Sequence, residues 1–195
     1  MKQEMIFETI VTTLNADGSV HIAPFGIRER DGLVIIAPFR PSASLDNLLR
    51  GRCAVVNYTD DVRVFAGCLT GRRVWPTRLA NRVQGQVLES ALSHRELELA
   101  AVEEHELRPE LACRIVHEVS HTPFRGFNRA QAAVIELAVL VSRLHMLPLE
   151  KIDAEVQYLA IAVEKTAGER EWQAWNWLME SIVNFKAGQS GENLA

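Results

Sequence analysis

LVIIAPFRPSASLDNLLRGRCAVVNY, residues 33–58, sets an apolar run, a short polar segment and a second apolar run end to end. The flanks, residues 33–38 and 53–58, are rich in β-branched types and read as strands. Between them Ser42 to Arg50 reads as a helix, with Ser42 or Ser44 as its cap and Asp46 near the positive end of its dipole. Upstream, residues 5–14 form another strand pattern, Asn15–Gly18 supplies turn chemistry, and residues 20–27 return as the second arm of a hairpin. Arg30-Asp31-Gly32 turns the chain again. Strands joined by tight turns, with one short helix among them, favour an antiparallel sheet or small barrel over a doubly wound parallel fold. Further on, residues 60–70 read as a short helix, 71–82 as a loop, and 83–89 and 111–119 as strands.

After Pro123 the period changes. Three helices are expected, at about 129–146, from 152 to near Gly168, and at 169–186. The third places Trp172, Trp175, Met179 and Ile182 on one stripe, read as core. The expected division is a barrel domain over 1–123, a helical subdomain over 124–188 and a flexible tail over 189–195.

Of 195 residues, 48% are hydrophobic and 24% charged, which suits a globular core. A net charge of -4 with scattered basic residues excludes a nucleic-acid surface and a basic membrane-binding face. The stretch 130–147 holds Gln131, Glu136, Ser142, Arg143 and His145, too many polar groups for a membrane span. Three widely spaced cysteines, Cys53, Cys68 and Cys113, form neither a disulfide framework nor a zinc ribbon. With no signal-peptide core at Met1–Ile6, a cytoplasmic location is expected.

Two segments carry candidate chemistry. His117-Glu118-Val119-Ser120-His121 matches H-E-x-x-H, which on a helix would bring both histidines to one zinc with Glu118 as base and Glu136 as the nearest acidic third ligand. The same residues also alternate as a strand, which would part the histidines by roughly 13 Å. The segment 40–51 offers Arg40, Ser42, Ser44, Asn47 and the N–H groups of a helix start, with Asn57 at the end of the next strand. That is a capped helix or a phosphate cradle. Asn128-Arg129 opens the next helix and could likewise meet an anion, although Arg129, Glu136 and Arg143 also fit a solvated stripe. No G-x-S-x-G elbow, P-loop or G-x-G-x-x-G is present.

The stretches Glu8–Thr13, Ala23–Ile27, Ser42–Leu48 and Val55–Asp60, followed by Phe124–Ala130, Ala133–Glu136 and Glu164–Gly168, resemble the domain-of-unknown-function 447 family in order and over nearly the whole chain. The resemblance implies an α+β fold with a mainly β core: an antiparallel split β-barrel of the FMN-binding type, related to flavin reductases, with a C-terminal helical appendage. It implies FMN as cofactor and a homodimer with flavin near the subunit interface. Ser44-Leu-Asp-Asn47 matches the hydroxyl-x-x-Asn pattern that serves flavin phosphate and ribityl groups in related reductases, and Pro24, Phe25 and Gly26 would border the ring. Residues 117–121 would then end a barrel strand, against the zinc reading. An FMN-dependent oxidoreductase acting on a small molecule, with no metal, is the expectation. A non-catalytic FMN-binding protein and a zinc hydrolase using His117, Glu118 and His121 are its rivals.

Overall fold

The structure, a computed structural model, describes residues 4–192. Its elements are β1 (Phe7–Leu14), β2 (Val20–Arg30), β3 (Leu33–Ile36), α1 (Ala43–Gly51), β4 (Cys53–Tyr58), α2 (Val62–Leu69), β5 (Thr77–Leu79), β6 (Gln86–Leu88), β7 (Ser93–Glu103), β8 (Glu110–Ser120), α3 (Arg129–Val141), a 3-10 turn (Leu144–Met146), α4 (Leu149–Thr166) and α5 (Glu169–Glu192). The chain divides into two compact units, one running to Asp60 and resuming over Val74–Phe124, the other made of Asp61–Arg73 and everything from Arg125 onward. The short helix expected at 60–70 therefore belongs with the C-terminal helices, although it interrupts the barrel in sequence.

The first unit is a closed antiparallel barrel in the order β1-β2-β3-β8-β7-β4. Gly18, at φ 84°, lets the first hairpin turn, and Asp17 accepts from the Ser19 N–H and hydroxyl. Val11, Ile27, Val34 and Leu97 fill the interior, and α1 adds Leu45 and Leu48 to it. Closure is short: β1 meets β4 through Ile10↔Asn57, Val11↔Val56 and Thr12↔Val55. Asn57, fully buried, donates to the Ile10 carbonyl at 3.1 Å and accepts from the Leu88 N–H at 2.9 Å, while the Thr12 hydroxyl bonds to the Gln86 carbonyl. Those contacts hold the β5–β6 hairpin against the seam. The segment read as a loop at 71–82 thus contains β5, and β6 lies within the strand expected at 83–89.

β7 is the strand that period reading misses. Its sequence, SHRELELAAVE, mixes four charges into the apolar alternation, and its pairing with β8 shifts register at Glu96/Leu97 and Leu99/Ala101. Cross-strand ion pairs accept two of those charges: Arg95 with Glu29 at 2.5 Å and Glu118 at 3.0 Å, and Glu98 with Arg114 at 3.4 Å. A second network joins Arg28 and Arg30 of β2 to Glu110 of β8, at 2.6 and 3.0 Å, and Arg30 to Glu4 at 2.6 Å.

In the second unit Val62 and Ala66 of α2 pack with Val134, Leu137, Ile152 and Leu178. Two expectations are corrected here. The helix read as 129–146 ends at Val141 and yields to the 3-10 turn. Trp172 is 40% exposed, because the buried face of α5 runs through Ala174, Trp175, Leu178 and Ile182, one step round the helix. α5 runs on as helix through Glu192 into the segment expected as a tail from 189; residues 193–195 lie outside the described residues. Glu171 fixes the start of α5 by accepting from the Gly168 N–H at 3.0 Å, in the manner of a capping box.

Asn57→Leu leaves the Ile10 carbonyl and Leu88 N–H buried without partners, and urea unfolding should show a loss of about 3 kcal/mol at unchanged slope. Arg28 and Arg30 hold the Glu110 carboxyl below its ordinary 4.5 against the opposing effect of burial. A depressed carboxyl contributes stability above its unfolded value, and that contribution disappears as pH falls through the folded one. Thermal melts from pH 7 down to 3 should therefore fall less steeply for Glu110→Gln than for the unaltered chain.

Candidate functional site

The start of α1 separates the two serines. Ser42 is the cap, its hydroxyl accepting from the Leu45 N–H at 3.3 Å. Ser44 is buried inside the helix, and its hydroxyl lies 2.9 Å from Nε2 of His21 on β2. Asn47, one turn on and also buried, donates to Thr13 at 3.1 Å and Asn15 at 2.9 Å, and accepts from Arg50 at 2.6 Å. The N–H groups of Ala43 and Ser44 find no acceptor among the described residues. Arg40, 45% exposed, pairs with Glu104 at 2.9 Å and precedes the helix through a cis peptide to Pro41. The resulting donor set comprises a guanidinium, hydroxyls, an imidazole and helix-start N–H groups, which suits an anion.

Pro24, Phe25 and Gly26 lie on β2, opposite Ile10, Thr9 and Glu8 of β1. A Cβ on Gly26 would come within 2.7 Å of the Ile6 side chain, so any larger residue there has to displace Ile6. Asn57 is fully buried, and its amide bonds to the Ile10 carbonyl and the Leu88 N–H within the barrel. Arg129 opens α3 in the helical unit, where it lines a cavity of about 270 Å³ with Glu136 and Tyr158.

The H-E-x-x-H segment is a strand. His117 lies on β8, and His121 stands just past its end with its N–H on the Leu92 carbonyl at 2.8 Å. The helical face that would bring His117 and His121 to one zinc, with Glu118 as base, is therefore absent. What the linear motif hides is the neighbouring strand. Glu96 of β7 pairs directly with His117, and His94 stands two residues before it. Both His94 and Glu96 are fully buried. Their i, i+2 spacing, H-x-E, was the available signal, but it marks one face only once β7 is known to be a strand.

Glu96 accepts from the N–H groups of Asn81 at 2.7 Å, Arg82 at 2.6 Å and Val83 at 3.0 Å, and lies 3.3 Å from His94 Nε2. Burial would raise its carboxyl, but those N–H groups and His94 outweigh it and hold the carboxyl low. His94 is pushed down by burial against the pull of Glu96, and His121 by burial and the charge of Arg78. His94 Nδ1 meets His121 Nε2 at 2.9 Å, with ring planes 9° apart and centroids 5.0 Å apart. Rings so nearly parallel, with nitrogens that close, meet edge to edge, so one N–H points at the other lone pair. Arg78 lies 2.7 Å from His121 Nε2, and Asn81 Nδ2 is 3.1 Å from His117 Nε2. His121 also borders a cleft of about 580 Å³ lined by Tyr58, Ser93, Thr122 and Phe124.

The thiols offer little chemistry. Burial raises Cys68 to about 11 and Cys113 to about 12, and raises the half-buried Cys53 as well.

The chain is similar in structure to an FMN-bound protein from Methanosarcina mazei, with a TM-score of 0.79 at 19% identity, covering 92% of this chain and 96% of that one. The 2-nitrobenzoate 2-nitroreductase of Pseudomonas fluorescens gives a TM-score of 0.51 at 19% identity, over 58% and 64% of the respective chains. Component B of nitrilotriacetate monooxygenase from Bacillus cereus gives 0.51 at 16%, over 67% and 78%. At these identities the likeness is one of fold. No curated protein matches the chain in sequence. The N-terminal domain of the protein family of unknown function DUF447 matches residues 7–122, and the family's C-terminal domain matches residues 128–180. With both domains present in order, the chain belongs to the DUF447 family.

Proposed function

We propose that this chain binds FMN and uses it as an oxidoreductase of the flavin-reductase type, acting on a small molecule. The observation that carries the reading is the match, over nearly all of both chains, to a family member whose solved structure is FMN-bound. The local chemistry supports it: the start of α1 presents the donor set that a phosphate monoester requires. In this reading Arg40, Ser42, Ser44 and the N–H groups of Ala43 and Ser44 hold the phosphate, and His21 orients the Ser44 hydroxyl. Asn47 fixes α1 to the β1–β2 turn through Thr13 and Asn15, which sets where those donors point. The backbone of Pro24–Gly26 borders the ring. Flavin, when bound, supplies hydride and electron transfer, while the protein binds and orients it.

A homodimer is part of the same proposal. Met5, Ile6 and Phe7 are exposed in a row at 71%, 59% and 41%, which supports a partner surface beside β1. Among the described residues no helix is long and apolar enough to cross a membrane.

Protein purified with added FMN and desalted should retain one flavin per chain by absorbance. Arg40→Ala with Ser44→Ala should weaken FMN binding by about 100-fold with little effect on riboflavin, because charge-assisted bonds to phosphate are worth about 1.5–3 kcal/mol each. Equal loss for both ligands would place the phosphate elsewhere. Anaerobic addition of NADH or NADPH should bleach the bound flavin; flavin that stays oxidised with both would leave a binding protein rather than a reductase.

A further inference from the structure

The β7–β8 cluster holds a donor set that the proposed anion site does not use. We propose that His94, Glu96 and His117 form a binding site for a divalent first-row transition cation of the zinc class. One ligand atom from each lies within 4.8 Å of the other two. Tetrahedral zinc with nitrogen and oxygen ligands spaces them about 3.4 Å apart, so the cluster needs to contract by about an ångström. His117 is partly exposed, whereas His94 and Glu96 are fully buried, so the buried pair forms a fixed floor and His117 is the arm that swings.

Two further observations point to a cation. Among the described residues the side-chain ion-pair partner of Glu96 is His94 alone, so a carboxylate with no solvent exposure has no lysine or arginine beside it. Backbone N–H groups orient that carboxylate without carrying net charge. His94 also has an outer partner that can accept the second ring N–H of a metal-ligating histidine: with its Nε2 toward Glu96, its Nδ1 faces His121 Nε2 in the ring plane. Arg78 also lies 2.7 Å from His121 Nε2, on the nitrogen that faces His94. Two imidazoles and one carboxylate leave a coordination position open, as in sites where a metal holds an exchangeable water. The site shares no residue with the proposed flavin site, so either can fail alone.

The test uses the full chain, treated with chelator and free of flavin. Calorimetric titration with zinc chloride should give one saturable site per chain, and zinc should raise the melting temperature. His117→Gln should weaken binding by about 100-fold or more and His121→Ala by about 10-fold, as for loss of a ligand and of an outer partner. His105→Gln, on an exposed histidine paired with Glu103, should change nothing. In cobalt(II)-loaded protein, visible bands of tetrahedral intensity should disappear in His117→Gln. Absence of saturable heat, zinc without effect on the melting temperature, or binding that survives His117→Gln would overturn the site and leave Glu96 as an anchor for the 81–83 loop.

Discussion

The barrel is closed by three residue pairs between β1 and β4, and everything else in the first unit depends on that short seam. An open sheet of the same strands would present two bare edges. Asn57 stands at the seam and is bonded on both sides, to the Ile10 carbonyl of β1 and the Leu88 N–H of β6. A buried amide in that position is costly to mispair, so it selects one register and one placement of the small hairpin.

Closure also decides where the chemistry stands. With β1 and β2 locked in register, Thr13 and Asn15 become the fixed points to which Asn47 ties α1, and His21 comes within reach of Ser44. The helix start is thus held by side chains on two strands rather than by its own cap alone. β7 and β8 pair with each other as consecutive strands, which sets His94 and Glu96 beside His117. Two polar clusters, one suited to an anion and one to a cation, arise on one scaffold through contacts between residues distant in sequence.

Much of this was legible in the residues. The first hairpin, β3, α1 and β4 follow from β-branched runs, turn residues and a serine cap, all local signals. β7 was not legible, because its charges look like a solvated segment until Glu29, Glu118 and Arg114 are placed opposite them. The H-E-x-x-H motif stayed open between helix and strand for a related reason. Its spacing has metal-binding meaning on a helix, and nothing within five residues states that the segment pairs with β7.

Local pattern, composition and the order of family-like stretches were enough for a mainly β barrel, a following set of helices, and Ser42 to Asn47 as a place of interest. Those depend on period, capping and turn chemistry, which act over a few residues. Whether Asn57 serves a ligand or the seam, whether α2 joins the barrel or the helices, and which groups surround His117 are decided by contacts between residues 31 to 74 or more positions apart. Such contacts form only when strand register and the buried charges of β7 are satisfied together, and no local window contains both.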